Sequence, residues 1–281
     1  MKRVTVLRKT ATGLFTGATA FWAVVSQNVF AADTSAPIAS SPSTFVITLG
    51  GAVEYGPKYP GSGHNAFSAL PSFDIRRFDE PDENSAPDDS ISYGLIDLGG
   101  IEIGPAIGFR DGRSQSDDRR LAGLHDVRWD VDLGLFAQYW AVPDQLRFRT
   151  EARQAVSNGS GLELDLGVDW FQPLNEKWTL SVGPRVSYGN GAFMRKYFSV
   201  TSDEAARSGR LASFDASSGF KSVGLSVSAT YDFSPTWSLQ VYDRFDRLVG
   251  DAAASPITSD LGSSNQNIIG VSLSKSFSVS F

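Results

Sequence analysis

Apolar and polar residues alternate strictly along much of this chain. Between residues 127 and 140, one set of alternate positions is apolar: Val127, Trp129, Val131, Leu133, Leu135, Ala137 and Tyr139. The intervening positions begin with Arg128, Asp130 and Asp132. Such alternation over eight or more residues predicts a β-strand with one apolar and one polar face. The pattern recurs in residues 146–153, 162–170, 178–188, 223–233 and 268–281, so the sequence predicts an all-β protein.

Strands of this kind build either a soluble sandwich or an outer-membrane barrel, and the two differ in where the apolar face points. Strands about ten residues long favour the barrel, because that length spans a bilayer when tilted. Aromatic residues near strand ends on the apolar face suit girdles at the membrane surface: Trp129, Tyr139, Trp170, Trp178, Tyr188 and Trp237. The last strand ends on Phe281, as is typical of outer-membrane barrels, although Lys275 falls on its apolar face. We therefore predict a transmembrane antiparallel β-barrel.

The lengths of the connections predict the topology of this barrel. Short connections at 97–100, 142–145, 172–177 and 234–237 alternate with long ones at 55–65, 110–125, 189–219 and 248–266. In such barrels the periplasmic turns are short and the extracellular loops long. Eleven strands are evident, but both chain ends reach the periplasm only if the number is even, and the missing strand falls between residues 77 and 90. We therefore predict about twelve strands, with a short irregular one in 78–89.

The longest loop contains a helix signal. Thr201 is followed three residues later by Glu204, the spacing of a capping box, and Gly209 follows as a C-cap. Residues 202–208 should therefore form a short helix on the extracellular side.

The amino-terminal residues have the pattern of an export signal. Four basic residues precede an apolar run from Leu14 to Val25, and small residues at positions 29 and 31 suit a cleavage site. This pattern predicts a signal peptide at 1–31, whose apolar part is too short to span a membrane. The Pro- and Ser-rich residues 32–43 predict a disordered periplasmic segment, followed by the barrel at 44–281.

Removal of the predicted leader makes the protein more acidic. The leader contains four of the 25 Lys and Arg residues and none of the 31 Asp and Glu residues, so its loss changes the net charge from −6 to −10. Because the chain has no basic patch or stripe, nucleic acid is not expected as a partner. The chain has no cysteine and therefore no disulfide framework.

Charged residues are predicted to face one another across the lumen. Seven of them stand on the polar faces of two neighbouring strands, and we call them the charge ladder: Arg128, Asp130, Asp132, Arg147, Arg149, Glu151 and Arg153. Opposite charges on neighbouring strands pair readily, and buried charges must be paired. The ladder is either an eyelet that selects charged solutes or a set of ion pairs that fills a narrow lumen. The modest width of a twelve-strand barrel favours the second interpretation.

The sequence offers little that resembles a catalytic or metal site. The two histidines, His64 and His125, fall in predicted loops, and nothing in the spacing requires a Ser–His–Asp arrangement. For metal binding, the chain has no cysteines and no pair of histidines at a suitable spacing. The acid-rich residues 79–90 lack the glycine and the regularly spaced oxygens of a calcium loop. We therefore expect no enzyme activity, no cofactor and no metal.

Four stretches of the sequence resemble the MipA/OmpV family of outer-membrane proteins: residues 55–77, 112–127, 196–225 and 247–257. The most specific positions lie in two predicted loops, and we call them the family-motif residues: Tyr197, Phe198, Val200, Ser208, Gly209, Asp215, Asp251, Ser255 and Pro256. The chain departs from the family at its end, where "SVSF" extends beyond the usual last aromatic residue. That extension leaves the register of the last strand open.

The resemblance implies a location in the Gram-negative outer membrane, among outer-membrane lipid. It further implies a scaffold that links a murein-cleaving lytic transglycosylase to a murein synthase. A porin-like channel for small solutes and an adhesin-like surface protein are the alternatives that family members suggest. In the predicted topology, the segment 32–43 and the 77–90 connection are the regions that could hold a periplasmic partner.

Overall fold

The computed structural model describes residues 44–79, 82–157, 159 and 161–280. The predicted signal peptide at 1–31, the segment at 32–43 and the terminal Phe281 lie outside the described residues. The strands are β1 (Thr44–Pro57), β2 (Asn65–Arg77), β3 (Ile91–Ser92), β4 (Ile96–Asp97), β5 (Ile101–Arg110), β6 (Asp130–Val142), β7 (Leu146–Ala155), β8 (Leu162–Pro173), β9 (Trp178–Gly189), β10 (Gly219–Ser234), β11 (Trp237–Leu248) and β12 (Asn265–Ser280).

These strands form one antiparallel sheet that curls into a barrel. Consecutive strands from β5 to β12 pair with one another, β1 pairs with β2, and β12 returns to pair with β1. The hydrogen-bonded path ends at β2 on one side and at β3 on the other. Both β3 and β4 pair with β5, so together they occupy one position in the wall. The predicted antiparallel barrel of about twelve strands is confirmed.

The two ends of the barrel differ in the length of their connections, as the sequence predicts. Residues 98–100, 143–145, 174–177 and 235–236 connect strands at one end, which we call the turn end. The long connections 58–64, 111–129, 190–218 and 249–264 lie at the other end, which we call the loop end.

Alternate residues of each strand face opposite sides of the wall, and this alternation determines which side chains point outward. Apolar residues of the wall are exposed on the outer face; Leu135, for example, is 60% exposed. Aromatic rings contact one another near the turn end, where the centroids of Trp178 and Tyr231 are 4.7 Å apart. Lys275 is accommodated on this face because its ammonium group lies 5.1 Å from the ring of Trp237, a cation–π contact.

The missing twelfth strand is not where the sequence places it. Among the described residues of 78–89 none is in a strand, and the short strands β3 and β4 begin only at Ile91. Residues 82–90 instead lie in the lumen, where Asp88 and Asp89 bind arginine side chains of the wall. The physical reason is composition, because a stretch rich in acids and containing Pro87 cannot form a strand that faces lipid.

Four short helices lie at the loop end: α1 (Gly191–Phe198), α2 (Ser202–Ser208), α3 (Gly250–Ala254) and α4 (Pro256–Ser259). The predicted helix is α2, with both hydrogen bonds of the Thr201–Glu204 capping box and with Gly209 in the left-handed region at φ 63°. The helix α1 in the same loop was not predicted. Among the described helices none has the length and apolar character that a membrane span requires.

The long connections pack into a compact layer over the loop end, which we call the loop cap. One apolar cluster gathers around α1 and contains Val127, Phe193, Met194, Tyr197, Phe198, Ala216, Leu248 and Ala252. A second cluster joins four loops and contains Tyr59, Leu121, Leu124, Val200, Leu211, Ile257 and Leu261. The loop end is therefore covered by a layer with its own buried core.

Candidate functional site in the barrel lumen

The centre of the charge ladder is a buried group of two arginines around one carboxylate. Arg147, only 2% exposed, donates to Asp169 at 2.8 Å. Asp169 also accepts from Arg185 of β9 at 2.7 Å. The guanidinium of Arg147 lies 5.5 Å from the ring centroid of Phe171, which shields it on one side. Each charge is thus paired, as burial requires.

The ladder continues along β7 toward the loop end. Arg149 donates to Glu151 at 2.6 Å, and Arg153 donates to Asp165 at 2.5 Å. Above them Asp132 of β6 accepts from Arg110 at 2.6 Å. The period of two places all of these residues on the inner face, because alternate positions of a strand point to the same side.

Two residues of the predicted ladder differ from the others. Arg128 is exposed in the loop before β6, because that strand begins only at Asp130, after Val127 has been drawn into the loop cap. The prediction that Arg128 belongs to the ladder is therefore wrong. Asp130 points inward at the loop end of β6, but it accepts hydrogen bonds from Ser157 rather than from an arginine.

The lumen also contains residues 82–90, which we call the inner segment. Asp89 accepts two hydrogen bonds from Arg147, at 2.7 and 2.9 Å, in the parallel geometry of a bidentate pair. Asp88 forms the equivalent pair with Arg185, at 2.7 and 2.9 Å. A third arginine, Arg244 of β11, lies 3.7 Å from Asp88. The segment thus connects β7, β9 and β11 across the lumen.

Further side-chain contacts hold the two ends of the inner segment. At its beginning, Glu83 accepts from Gln138 at 2.8 Å and from the indole of Trp140 at 3.0 Å. At its end, Ser90 donates to Glu151 through both its amide and its hydroxyl group. In the described part of the chain, the segment forms no strand ladder with the wall and is held mainly by side chains.

The lining of the lumen also contains many small uncharged groups, beside charged residues such as Asp74 and Asp232. The uncharged groups come from β1, β2 and β9–β12 and include Thr48, Ser68, Ser72, Ser181, Ser228, Thr230, Ser238, Gln240, Ser272, Ser274 and Ser276. They border a cavity of about 1050 Å³ that the inner segment also lines. The cavity reaches from Thr236 at the turn end to Phe193 and Tyr197 of the loop cap. The lumen therefore combines the ion pairs of the inner segment with a serine-rich half that borders the open cavity.

The family-motif residues hold the loop cap together. Tyr197 and Phe198 are buried in the cluster around α1, and Ser255 donates its hydroxyl to the carbonyl of Phe198 at 2.6 Å. Asp251 accepts from the amide of Ser217 at 2.8 Å. In this way the motif links α1 to the connection between β11 and β12.

The other motif residues shape the same layer. Val200 pairs with Phe214 in an isolated β-bridge, and Pro256 begins α4. Ser208 and Gly209 end α2, where the hydroxyl of Ser208 donates to the carbonyl of Ala205. Asp215, in contrast, is exposed.

Both histidines contact residues of neighbouring loops. Glu204 accepts from the ring Nδ1 of His125 at 2.6 Å and from its amide at 2.7 Å. Burial alone would raise the pKa of Glu204, but hydrogen bonds from Thr201 and His125 outweigh it and lower that pKa to about 2. The carboxylate thus stays ionised and ties α2 to the neighbouring loop. His64 lies within 3.0 Å of Arg120. Among the described side chains, no three potential metal ligands converge.

The sequence analysis missed Asp88, Asp89 and the serine-rich half of the lumen. A signal for the two aspartates exists, because residues 78–90 are rich in acids while β7 contains three arginines on its inner face. No pattern along the chain distinguishes the serines, since any polar face of a strand has the same alternation.

Comparison of the chain with solved structures gives remote likenesses to outer-membrane barrels. No curated protein matches it. The COG4313 outer membrane channel from Pseudomonas putida F1 shares 11% identity at a TM-score of 0.39, over 89% of this chain and 100% of that chain. OmpT of Vibrio cholerae shares 8% identity at a TM-score of 0.35, over 86% of this chain and 100% of that chain. Such remote likeness carries no information about function.

The family comparison covers most of the chain. A model described as MltA-interacting protein MipA matches residues 49–277. This range runs from β1 into β12 and includes the charged lumen, the inner segment and the loop cap. The chain is an outer-membrane β-barrel protein and belongs to the MipA family.

Proposed function

We propose that this protein is an outer-membrane anchor that binds a lytic transglycosylase of the MltA kind on its periplasmic side and helps to bring it to a murein synthase. The observation that carries this proposal is the occupied lumen: the inner segment crosses it, and the loop cap covers its loop end. A barrel whose lumen is occupied is better suited to act as an anchor than to act as an open pore. The family name, MltA-interacting protein, supports the choice of partner.

The proposed contact lies at the turn end. Of the described residues in 77–90, Phe78 and Asp79 are exposed there, whereas Asp88 and Asp89 point into the lumen. Leu98 and the neighbouring turns add further exposed apolar surface. Such turns alone fall short of the roughly 800 Å² per partner that a specific interface buries. We therefore propose that residues 32–43 order on the partner and supply the rest.

Deleting residues 33–42 should remove most of the cross-linking between this protein and the transglycosylase in intact cells. Leu98→Asp should weaken it, because a charge replaces an exposed apolar side chain of the proposed surface. Asp203→Lys is the matched control, since Asp203 is exposed on α2 at the opposite end of the barrel. The proposal is wrong if Asp203→Lys loses the partner while the deletion keeps it.

Export to the outer membrane, which the proposed role requires, depends on the amino-terminal residues. We expect the signal peptide 1–31 to be removed, so that the mature protein begins at Ala32. Amino-terminal sequencing of protein purified from outer membranes checks this. A mature protein that still begins near Met1 would contradict it.

The purified protein should give no stable conductance in planar lipid bilayers. Ion pairs of the inner segment and the buried core of the loop cap both stand in the path of ions. The serine-rich cavity of about 1050 Å³ is the observation that favours the porin-like alternative. A large, ion-selective conductance in the unaltered protein would establish that alternative instead.

A further inference from the structure

The inner segment contacts the lumen in the way that a bound ligand would. Asp88 and Asp89 each present a carboxylate to one arginine in bidentate geometry, at 2.7 and 2.9 Å in both cases. This is the arrangement by which arginine recognises free carboxylates and phosphates. Because the segment forms no strand ladder with the described wall, its release would break side-chain contacts and leave the sheet intact.

The local charge balance around these contacts changes sign when the carboxylates of Asp88 and Asp89 are removed. Four arginines face it: Arg147, Arg149, Arg185 and Arg244. The wall supplies three carboxylates to the same arginines, from Asp169, Glu151 and Asp246. Four positive charges against three leave one positive charge, which Asp88 and Asp89 turn into one negative charge. Without Asp88 and Asp89, this group of seven wall side chains would carry one net positive charge and would attract anions locally.

The lumen also has room for a ligand beside the inner segment. The cavity of about 1050 Å³ is of the size that holds a small solute, and it reaches the turn end at Thr236. At the loop end it stops at Phe193, whose ring lies 4.8 Å from the guanidinium carbon of Arg110. A solute would therefore enter from the turn end.

We propose that Arg147, Arg149, Arg185 and Arg244 form a binding site for a small, multiply charged anion, either a polycarboxylate or a phosphorylated solute. The anion displaces Asp88 and Asp89, and these two side chains act as a built-in competitor. A competitor of this kind lowers the apparent affinity by the fraction of molecules in which the site is free. The inference is independent of the proposed anchor role, since it concerns the lumen and not the turn-end surface.

The test is calorimetric titration of the full-length mature protein in detergent with citrate and, separately, with glucose 6-phosphate. The Asp88→Asn/Asp89→Asn variant keeps the shape of both side chains but removes the competing charges. It should bind one of the two anions at least about tenfold more tightly than the unaltered protein, since a charge-assisted pair is worth about that factor or more. Preference for citrate would identify a polycarboxylate site, and preference for glucose 6-phosphate a phosphate site.

The matched control is Asp79→Asn/Asp82→Asn. It also removes two carboxylates between β2 and β3, but these pair with Arg77 and Arg76 rather than with the four arginines. Its affinity for both anions should equal that of the unaltered protein. Adding Arg185→Gln to the Asp88→Asn/Asp89→Asn variant should abolish the gain.

A second measurement covers the case in which the double variant does not fold. The indole of Trp140 donates to Glu83 of the inner segment, so displacement of the segment should change its fluorescence. In the unaltered protein, saturating anion should shift this emission, and Trp140→Phe should remove the shift. The proposal is overturned if neither anion shifts the emission, or if a folded Asp88→Asn/Asp89→Asn variant binds both anions no more tightly than the control.

Discussion

Replacing Arg147 with glutamine should lower the free energy of unfolding of the barrel by about 3–5 kcal/mol, the range for breaking one partner of a buried ion pair. The change leaves Asp89 and Asp169 buried with fewer cations, at positions where Arg147 now bonds them at 2.7–2.9 Å. Urea unfolding of protein in lipid vesicles, followed by circular dichroism, measures the effect. Dichroism is preferable to fluorescence because Trp140 lies next to Arg147.

Two further variants test this prediction, one as a control and one as a compensating change. Arg128→Gln removes the same type of side chain from an exposed loop position, and it should change the stability by no more than about 0.5 kcal/mol. Combining Arg147→Gln with Asp89→Asn should recover part of the loss, because the second change removes one of the unpaired carboxylates. If Arg147→Gln and Arg128→Gln lower the free energy of unfolding equally, the ion pairs of Arg147 do not contribute to the stability of the barrel.

Replacing Phe198 with alanine should destabilise the loop cap by about 3–5 kcal/mol, the usual cost of removing a buried phenyl ring. Phe198 is fully buried in the cluster around α1. Because the cap has its own core, it should open locally while the sheet of the barrel stays folded. Hydrogen exchange of α1 and proteolysis in residues 190–218 should both accelerate, with an unchanged β-sheet signal in circular dichroism.

The control for the cap is Phe220→Ala. Phe220 lies near the start of β10, and its side chain is 59% exposed on the outer face, near Tyr188. Its removal should cost about 1 kcal/mol and leave the exchange of α1 unchanged. If Phe198→Ala unfolds barrel and cap together, the cap is an integral part of the barrel fold and not a separate layer.

The inner and outer faces of the wall are predictable from sequence because they follow from neighbouring positions alone. Period two assigns Arg147, Arg149 and Arg153 to one face and the intervening apolar residues to the other. The assignment fails at Arg128, where the alternation continues but the strand does not. Alternation predicts which face a side chain occupies only where the chain is an extended strand. Before Asp130 the chain is no longer a strand, because Val127 packs into the loop cap.

The loop cap shows a second limit of prediction from sequence: its helices are recognisable, but their packing partners are not. Thr201 and Glu204 identify α2 because a capping box is a local motif that the chain satisfies by itself. Apolar residues at 193, 194, 197 and 198 have helical spacing and could have identified α1. The residues that cover them are distant in sequence, since Leu248 ends β11 and Ala252 belongs to α3.

The sequence by itself determined the barrel, the alternating faces and the connection lengths, because each depends on residues close together in the chain. It placed a strand in residues 78–89, where the described residues form none. Only the tertiary structure decided that residues 82–90 lie in the lumen. Asp88 and Asp89 enter the lumen because Arg147 of β7, Arg185 of β9 and Arg244 of β11 converge there. Buried charges require partners, and partners on separate strands come together only when the barrel closes.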